Sequence, residues 1–239
     1  RAVMEDVQSM GEDDTLLDFN AVGRLALKDL DGYVRQLAVR TLAEYEAVDL
    51  LPEFLYMVEH DADEQVRAAC ASALGVFVYL GEIEEISQKK FQKIEEILLR
   101  VHQSSDTMLV RRRALEALGY SSNEELIPLI NHAYELGERE WLLSALTAMG
   151  RSSNAMWNAK VTAMLEDRRA DVRAEAAAAA GELGIRSSLR RLMALLEDGH
   201  EDVRAAAIWA ISENGGEGVR AKLVAMQEDP EDEDEADLI

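Results

Sequence analysis

The chain has 239 residues, of which 48% are apolar and only 5% aromatic. This length is enough for a large apolar core, and the abundance of Ala, Leu and Glu favours helices over strands. A formal net charge of -22 opposes the counterion release that drives binding to nucleic acid, so a DNA or RNA partner is disfavoured. We therefore predict an all-α protein that does not bind nucleic acid.

The sequence predicts neither a membrane span nor a signal peptide. No apolar run approaches the roughly 18 residues of a membrane helix, and no cationic leader precedes an apolar stretch. The single cysteine, Cys70, cannot form an internal disulfide, which fits a reducing compartment. The cytoplasm is the expected location, although a leader removed before Arg1 stays an open alternative.

A repeated unit runs along the chain. Val-Arg pairs recur with matching flanks, and Trp141 stands where a sixth pair is due. The steps between these reference positions are 32, 44, 31, 31 and 31 residues, within the period of about 20 to 50 that marks stacked repeats. The reference positions are Val34, Val66, Val110, Trp141, Val172 and Val203.

Each unit is predicted to be a helix, a short charged turn and a second helix. In chain order the expected repeats cover about 15–47, 51–80, 82–120, 124–150, 155–184 and 187–215, followed by the first helix of a further repeat at 217–227. The extra residues at about 82–94 explain the step of 44 and are expected to lengthen the loop and first helix of the third unit. A single solenoid is expected over 1–227, and 228–239 is the acidic segment of a truncated repeat.

One face of each second helix carries small residues. Four positions after the reference residue stand Ala38, Cys70, Ala114, Ala145, Ala176 and Ala207. The residues seven positions after the reference residue are equally small, so we expect the backbones of neighbouring helices to approach closely on this face. Glycine follows at position 9, which predicts that these helices end at Gly75, Gly119, Gly150 and Gly181.

The order of Asp, Val-Arg and small residues ending in Leu-Gly resembles the HEAT repeat, in the short bacterial form also found in the phycobilin lyase group. The resemblance covers nearly the whole chain and implies an α-α superhelix of about six helix pairs with partial terminal repeats. In that family the Asp and Arg positions form a hydrogen-bonded ladder between successive turns. The resemblance thus implies structural roles for Asp29, Arg35, Asp61, Arg67, Arg111, Asp167, Arg173, Asp198 and Arg204. The unit at Trp141 lacks both residues, so we expect the ladder to be interrupted there.

We expect no catalytic, cofactor or metal site. The HEAT-like deoxyhypusine hydroxylases hold two iron ions with His-Glu pairs from several repeats, whereas only His200 and Glu201 form such a pair here. The four histidines lie at different levels of the repeat and cannot form one ring of ligands. The acidity of the chain also disfavours the basic channel that HEAT-like DNA glycosylases need. Cys70 stands where other repeats have alanine, which favours a packed small residue over a nucleophile.

Positions 2, 3 and 6 after the reference residue are expected to point away from the core and to line the concave face, where solenoids usually hold partners. A few large side chains stand there among alanines and have the character of interface anchors. These candidate partner-binding residues are Arg40, Arg112, Arg113, Glu116, Leu143 and Trp209. Two alternatives stay open: burial of Trp209 in the last repeat, and simple pairing of the two adjacent arginines with Glu116.

The leading interpretation is a non-enzymatic scaffold or adaptor that binds a protein or peptide in the concave groove. The alternative, suggested by the resemblance, is a lyase-like accessory protein that handles a tetrapyrrole or assists its attachment. The sequence identifies neither the partner nor the oligomeric state.

Overall fold

Amphipathic helices joined by short turns make up the molecule. The computed structural model of the chain describes residues 1–13, 18–216, 218–220, 222 and 224. Within that part of the chain there are thirteen α-helices, three short 3-10 helices and no strand. The predicted all-α class is therefore confirmed. None of these helices is long and apolar enough to cross a membrane.

The chain divides into two compact units, Arg1–Asn123 and Glu124–Ile239. In the first unit, two helices of each predicted repeat lie side by side, and the second helices pack on one another in succession. The helices of this unit are α1 (Ala2–Asp13), α2 (Asn20–Ala26), α3 (Gly32–Ala43), α4 (Leu51–His60), α5 (Glu64–Glu82), α6 (Gln88–Gln103) and α7 (Met108–Leu118). Because α1 packs on α3, it stands in the place of a second helix from a preceding repeat.

The second unit is built in the same way. Its helices are α8 (Leu126–Leu136), α9 (Arg139–Arg151), α10 (Asn158–Met164), α11 (Ala170–Glu182), α12 (Leu189–Leu195) and α13 (Glu201–Asn214). The second helices α9, α11 and α13 pack in succession, and each also contacts its own first helix, as in an α-α solenoid. The single solenoid over 1–227 stays a prediction. The acidic segment 228–239 lies outside the described residues.

The insertion at 82–94 lengthens both helices that flank it. The second helix α5 has 19 residues, and the first helix α6 has 16. The first helices α4 and α8 have only 10 and 11 residues. Gly81, in the added turn of α5, lies directly under the ring of Phe91 in α6. The longer first helix is confirmed. The expected longer loop is wrong, because only 83–87 separate α5 from α6, and the longer α5 takes up the other inserted residues.

The repeated glycines mark contacts between helices more often than helix ends. α5, α9 and α11 run through Gly75, Gly150 and Gly181, so the predicted ends at these three positions are wrong, while α7 does end before Gly119. A Cβ added at Gly181 would lie 3.0 Å from the Cα of Ala210 in the next second helix. The equivalent distances are 3.3 Å for Gly75–Ala117 and 3.0 Å for Gly150–Ala179.

Small side chains hold the second helices close together. The six residues at position 4 have no exposed surface at all, and the alanines opposite the glycines are those of position 7. A larger side chain at either position would force the backbones apart, because protein interiors are close-packed. The expected close approach on this face is confirmed.

Candidate functional site

Arginine–aspartate pairs link successive turns of the repeats. Arg35 donates from Nε and Nη2 to the carboxylate of Asp61, at 2.8 and 2.7 Å. Its Nη1 also donates to the backbone carbonyl of Asp29, at 2.8 Å. In the second unit Arg173 binds the carboxylate of Asp198 with two bonds of 2.8 Å. Each of these two rungs connects one turn to the next one along the stack.

A third rung uses an aspartate that the sequence alignment missed. Arg67 donates from Nε and Nη2 to Asp106, at 2.8 and 2.7 Å. Ser105 stands five positions before Val110, where other repeats have their aspartate, and Asp106 follows it by one residue. Asp106 is the only acid between Gln103 and Thr107, so the composition of the turn could have identified it.

The remaining ladder residues make different contacts. Arg111 donates to the carbonyl of His102 at 2.8 Å, and Arg204 donates to the carbonyl of Asp198 at 3.2 Å. In α9, Leu142 occupies the arginine position, and Arg139 at the start of this helix pairs instead with Asp171 in the first turn of α11. The carboxylate of Asp167 accepts two hydrogen bonds from the guanidinium of Arg169 in its own turn, at 2.9 and 3.0 Å, and one from the backbone N–H of Arg169, at 2.8 Å.

The ladder keeps its carboxyl groups ionised. The hydrogen bonds from Arg67 and Arg173 lower the pKa of Asp106 and Asp198 below the ordinary range. Burial raises the pKa of Asp61, but the hydrogen bonds from Arg35 and the turn amide outweigh it, and the pKa is lowered overall. The ladder groups are therefore engaged in holding the turns together.

The described residues support neither a metal-binding site nor a reactive thiol. No three His, Cys, Asp or Glu side chains there are grouped closely enough to hold a metal ion. Cys70 is fully buried in α5, and this burial raises the pKa of its thiol. Because the thiolate is the reactive form, this environment disfavours a nucleophilic role.

The second helices of the first unit enclose a cavity of about 340 Å³. We call it the α3–α5–α7 groove, and its floor is formed by Ala68 and Ala69. Its polar lining consists of Gln36, Arg40, Gln65, Ser72 and Arg113. None of the described residues that line it is acidic.

Two of the six candidate partner-binding residues line this groove. Arg40 is exposed, and the side chain of Arg113 is 41% exposed. Arg112 and Glu116 are instead 7% and 5% exposed, so the expectation that they point away from the core is wrong. Glu116 accepts a hydrogen bond of 2.5 Å from Arg113 and lies 4.0 Å from Nη2 of Arg112. A buried carboxylate thus compensates a buried guanidinium, which is the pairing alternative.

The other two candidates lie on second helices of the second unit. Leu143 is half-buried on α9, and Trp209 is 41% exposed on α13. The Trp209 ring lies over Gly181, since a Cβ added there would approach its Cζ3 to 2.5 Å. Trp209 therefore packs on the preceding second helix with one side of the ring and leaves part of its surface accessible.

Gln65 and Leu109 also line the groove, and sequence analysis missed both. They stand one position before the reference valines, outside the predicted set of positions 2, 3 and 6. In a helix, position -1 lies on the same face as positions 3 and 6, because four and seven residues make about one and two turns. The helical period could therefore have found them.

The chain matches a family model described as HEAT repeats over residues 158–238 and a model of the HEAT repeat over residues 50–80. Among solved structures it is similar to two engineered proteins and to human deoxyhypusine hydroxylase in complex with glycerol. For the engineered proteins the identities are 21% and 17%, the coverage is 83% of this chain and 99% or 97% of theirs, and the TM-scores are 0.46 and 0.43. For the human enzyme the identity is 17%, the coverage is 82% of this chain and 84% of that chain, and the TM-score is 0.42. No curated protein matches the chain.

Proposed function

Since this chain is a HEAT-repeat protein, we propose that it is a non-enzymatic scaffold that binds a protein or peptide partner in the α3–α5–α7 groove. Stacked helical repeats present concave surfaces that suit such binding. The observation that carries the proposal is the cavity of about 340 Å³ between three successive second helices. Its size falls in the range of about 300 to 1,000 Å³ that is typical of binding pockets.

The floor and rim of the groove suit a peptide. Ala68 and Ala69 leave room for a backbone to approach α5, because their side chains end at Cβ. Gln36, Gln65 and Ser72 place amide and hydroxyl groups around this floor. A small apolar floor with a few polar groups is a common arrangement of binding sites, in which the polar groups set orientation.

The chemistry of the lining supports binding rather than catalysis. Among the described residues that line it there is no His, Cys, Asp or Glu, the side chains that most often act as nucleophile or general base. The buried thiol of Cys70 fits the cytoplasm, which we propose as the setting. The tetrapyrrole alternative stays a prediction, which the visible absorbance of the purified protein mixed with a bilin would test.

Peptide display on the full chain tests the proposal, followed by binding of each selected peptide to two variants. Ser72→Trp fills the groove from an exposed position, whereas Ser105→Trp adds the same bulk at an exposed turn outside it. We expect selected peptides to lose about tenfold or more in affinity with Ser72→Trp and to bind Ser105→Trp normally. If no selected peptide responds to Ser72→Trp, the groove is not the binding site.

A further inference from the structure

We propose that the occupant of the α3–α5–α7 groove is an acidic peptide segment. Its side-chain carboxylates bind Arg40 and Arg113, and one of its backbone amides pairs with Gln36. This inference rests on the proposed function and adds the chemical class of the partner. Two independent observations carry it: a largely buried amide that makes no hydrogen bond with the described residues, and a groove whose described lining contains two arginines and no acid.

Gln36 is a largely buried amide in the lining of the groove. It lines the groove on α3, is 8% exposed, and makes no hydrogen bond with any of the described residues. The amide keeps contact with the open groove, so its hydrogen bonds go to water or to a group that enters the groove. A primary amide both donates and accepts, which matches the N–H and C=O of a peptide group.

Arg40 provides an exposed cation on the same helix face, one turn after Gln36. It is exposed and forms no ion pair or hydrogen bond within the part of the chain that the structure describes. A guanidinium presents two parallel N–H groups that fit the two oxygens of a carboxylate. Arg40 can therefore accept a carboxylate without first losing a partner among the residues that the structure describes.

Arg113 supplies a second cation across the groove on α7. Its Nη1 donates to Glu116, while 41% of the side chain stays exposed. Glu116 also lies 4.0 Å from Nη2 of Arg112. Arg40 and Arg113 are the only charged side chains among the described residues that line the groove, so this lining carries a formal charge of +2.

This local charge contrasts with the charge of -22 on the whole chain. At physiological ionic strength charges are screened beyond about 8 Å, so a group inside the groove interacts mainly with the arginines beside it. A long polyanion such as nucleic acid would also meet the acidic surface outside the groove. A short acidic segment places its carboxylates at the arginines alone, and the alanine floor leaves room for its backbone.

Fluorescence anisotropy with the full chain tests this inference. The probes are three labelled peptides of equal length with alternating Glu and Ala, Gln and Ala, or Lys and Ala. We expect the Glu peptide to bind best and its affinity to fall as salt rises. Arg40→Glu should weaken its binding by about tenfold or more, since this exposed cation becomes an anion. Lys90→Glu, the same charge change at an exposed site on α6, should leave its affinity unchanged.

Gln36→Met tests the amide separately. It keeps the length of the side chain but removes both hydrogen-bonding groups, so the Glu peptide should bind about tenfold more weakly, with its salt dependence unchanged. Circular dichroism melts of each variant check that the helices remain folded. Unchanged binding in folded Gln36→Met would overturn the role of the amide.

The remaining outcomes separate this inference from the proposed function. Preferred binding of the Gln or Lys peptide, or an unchanged affinity in Arg40→Glu, would overturn the acidic partner. If displayed non-acidic peptides still lose affinity with Ser72→Trp, the groove remains the binding site and only its partner class is wrong. If neither the displayed peptides nor the three probes respond to Ser72→Trp, both proposals fail.

Discussion

The guanidinium of Arg67 binds the carboxylate of Asp106 through two hydrogen bonds, although 39 positions of the chain separate the two residues. The equivalent pairs Arg35–Asp61 and Arg173–Asp198 are separated by 26 and 25 positions. The rung keeps the same geometry because the longer α5 and α6 take up the inserted residues. Contact between successive turns is thus maintained where the period of the sequence is broken.

Loss of this rung should destabilise the first unit. Replacing Arg67 with Met leaves the Asp106 carboxylate without two charge-assisted hydrogen bonds, and we expect the free energy of unfolding to fall by about 2 kcal/mol. Urea denaturation followed by circular dichroism measures the change.

Arg100→Met is the matched control in the same unit. Its side chain is 53% exposed and lies 3.2 Å from Glu59, so its loss should cost less than about 1 kcal/mol. Equal losses in Arg67→Met and Arg100→Met would contradict a structural role for the ladder.

Acid should lower the free energy of unfolding by protonating the aspartates of the ladder. The pKa of Asp61, Asp106 and Asp198 lies below the ordinary range in the folded chain, while in the unfolded chain it returns to about 3.9. The resulting stability is fully present above the unfolded pKa and is lost as the pH falls through the folded values. Urea denaturation at a series of pH values below about 5 should show this loss.

Arg67→Met provides the control for the acid effect. This variant has already lost one rung, so the difference in stability between it and the parent chain should narrow below about pH 4. A difference that stays constant from neutral to acid pH would show that the Asp106 carboxylate contributes no stability through its ionised form.

Gly181→Ala should destabilise the second unit even though alanine favours helix. The added Cβ would lie 3.0 Å from the Cα of Ala210, a backbone atom that moves only if α13 shifts. We expect a loss of about 1 to 3 kcal/mol, as is usual for overpacking. Gly199→Ala is the control, because a Cβ there meets nothing within 4 Å. Calorimetric melting that shows equal effects for both would contradict the close helix contact.

Cys70 should be unreactive in the folded protein. Burial removes it from solvent and raises the pKa of its thiol, so both access and the thiolate fraction are low. Alkylation by iodoacetamide, followed by mass spectrometry, should be slow in buffer and rapid in concentrated urea. Native alkylation at the rate of the unfolded chain would place the thiol at the surface.

Periodicity was sufficient to predict the helix pairs and the small-residue face. Residues at positions 0, 4, 7 and 8 share one side of a helix whatever its surroundings, so their spacing in the chain determines their common face. The rungs Arg35–Asp61 and Arg173–Asp198 involve the same repeat positions. Asp106 departs from the common spacing by one residue, and only the three-dimensional contact with Arg67 identifies its role.

The sequence by itself determined the all-α class, the repeat length and the pairing of first and second helices, because these follow from local propensity and from the period of 31 residues. The tertiary structure alone decided which members of a repeat position are buried. Arg112 and Glu116 lie inside, whereas Arg40 and Trp209, at related positions, remain accessible. It also decided that Gly181 continues a helix. The burial of a side chain and the continuation of a helix both depend on the residues of the neighbouring helix. A close contact between two helices outweighs the local tendency of a glycine to end a helix.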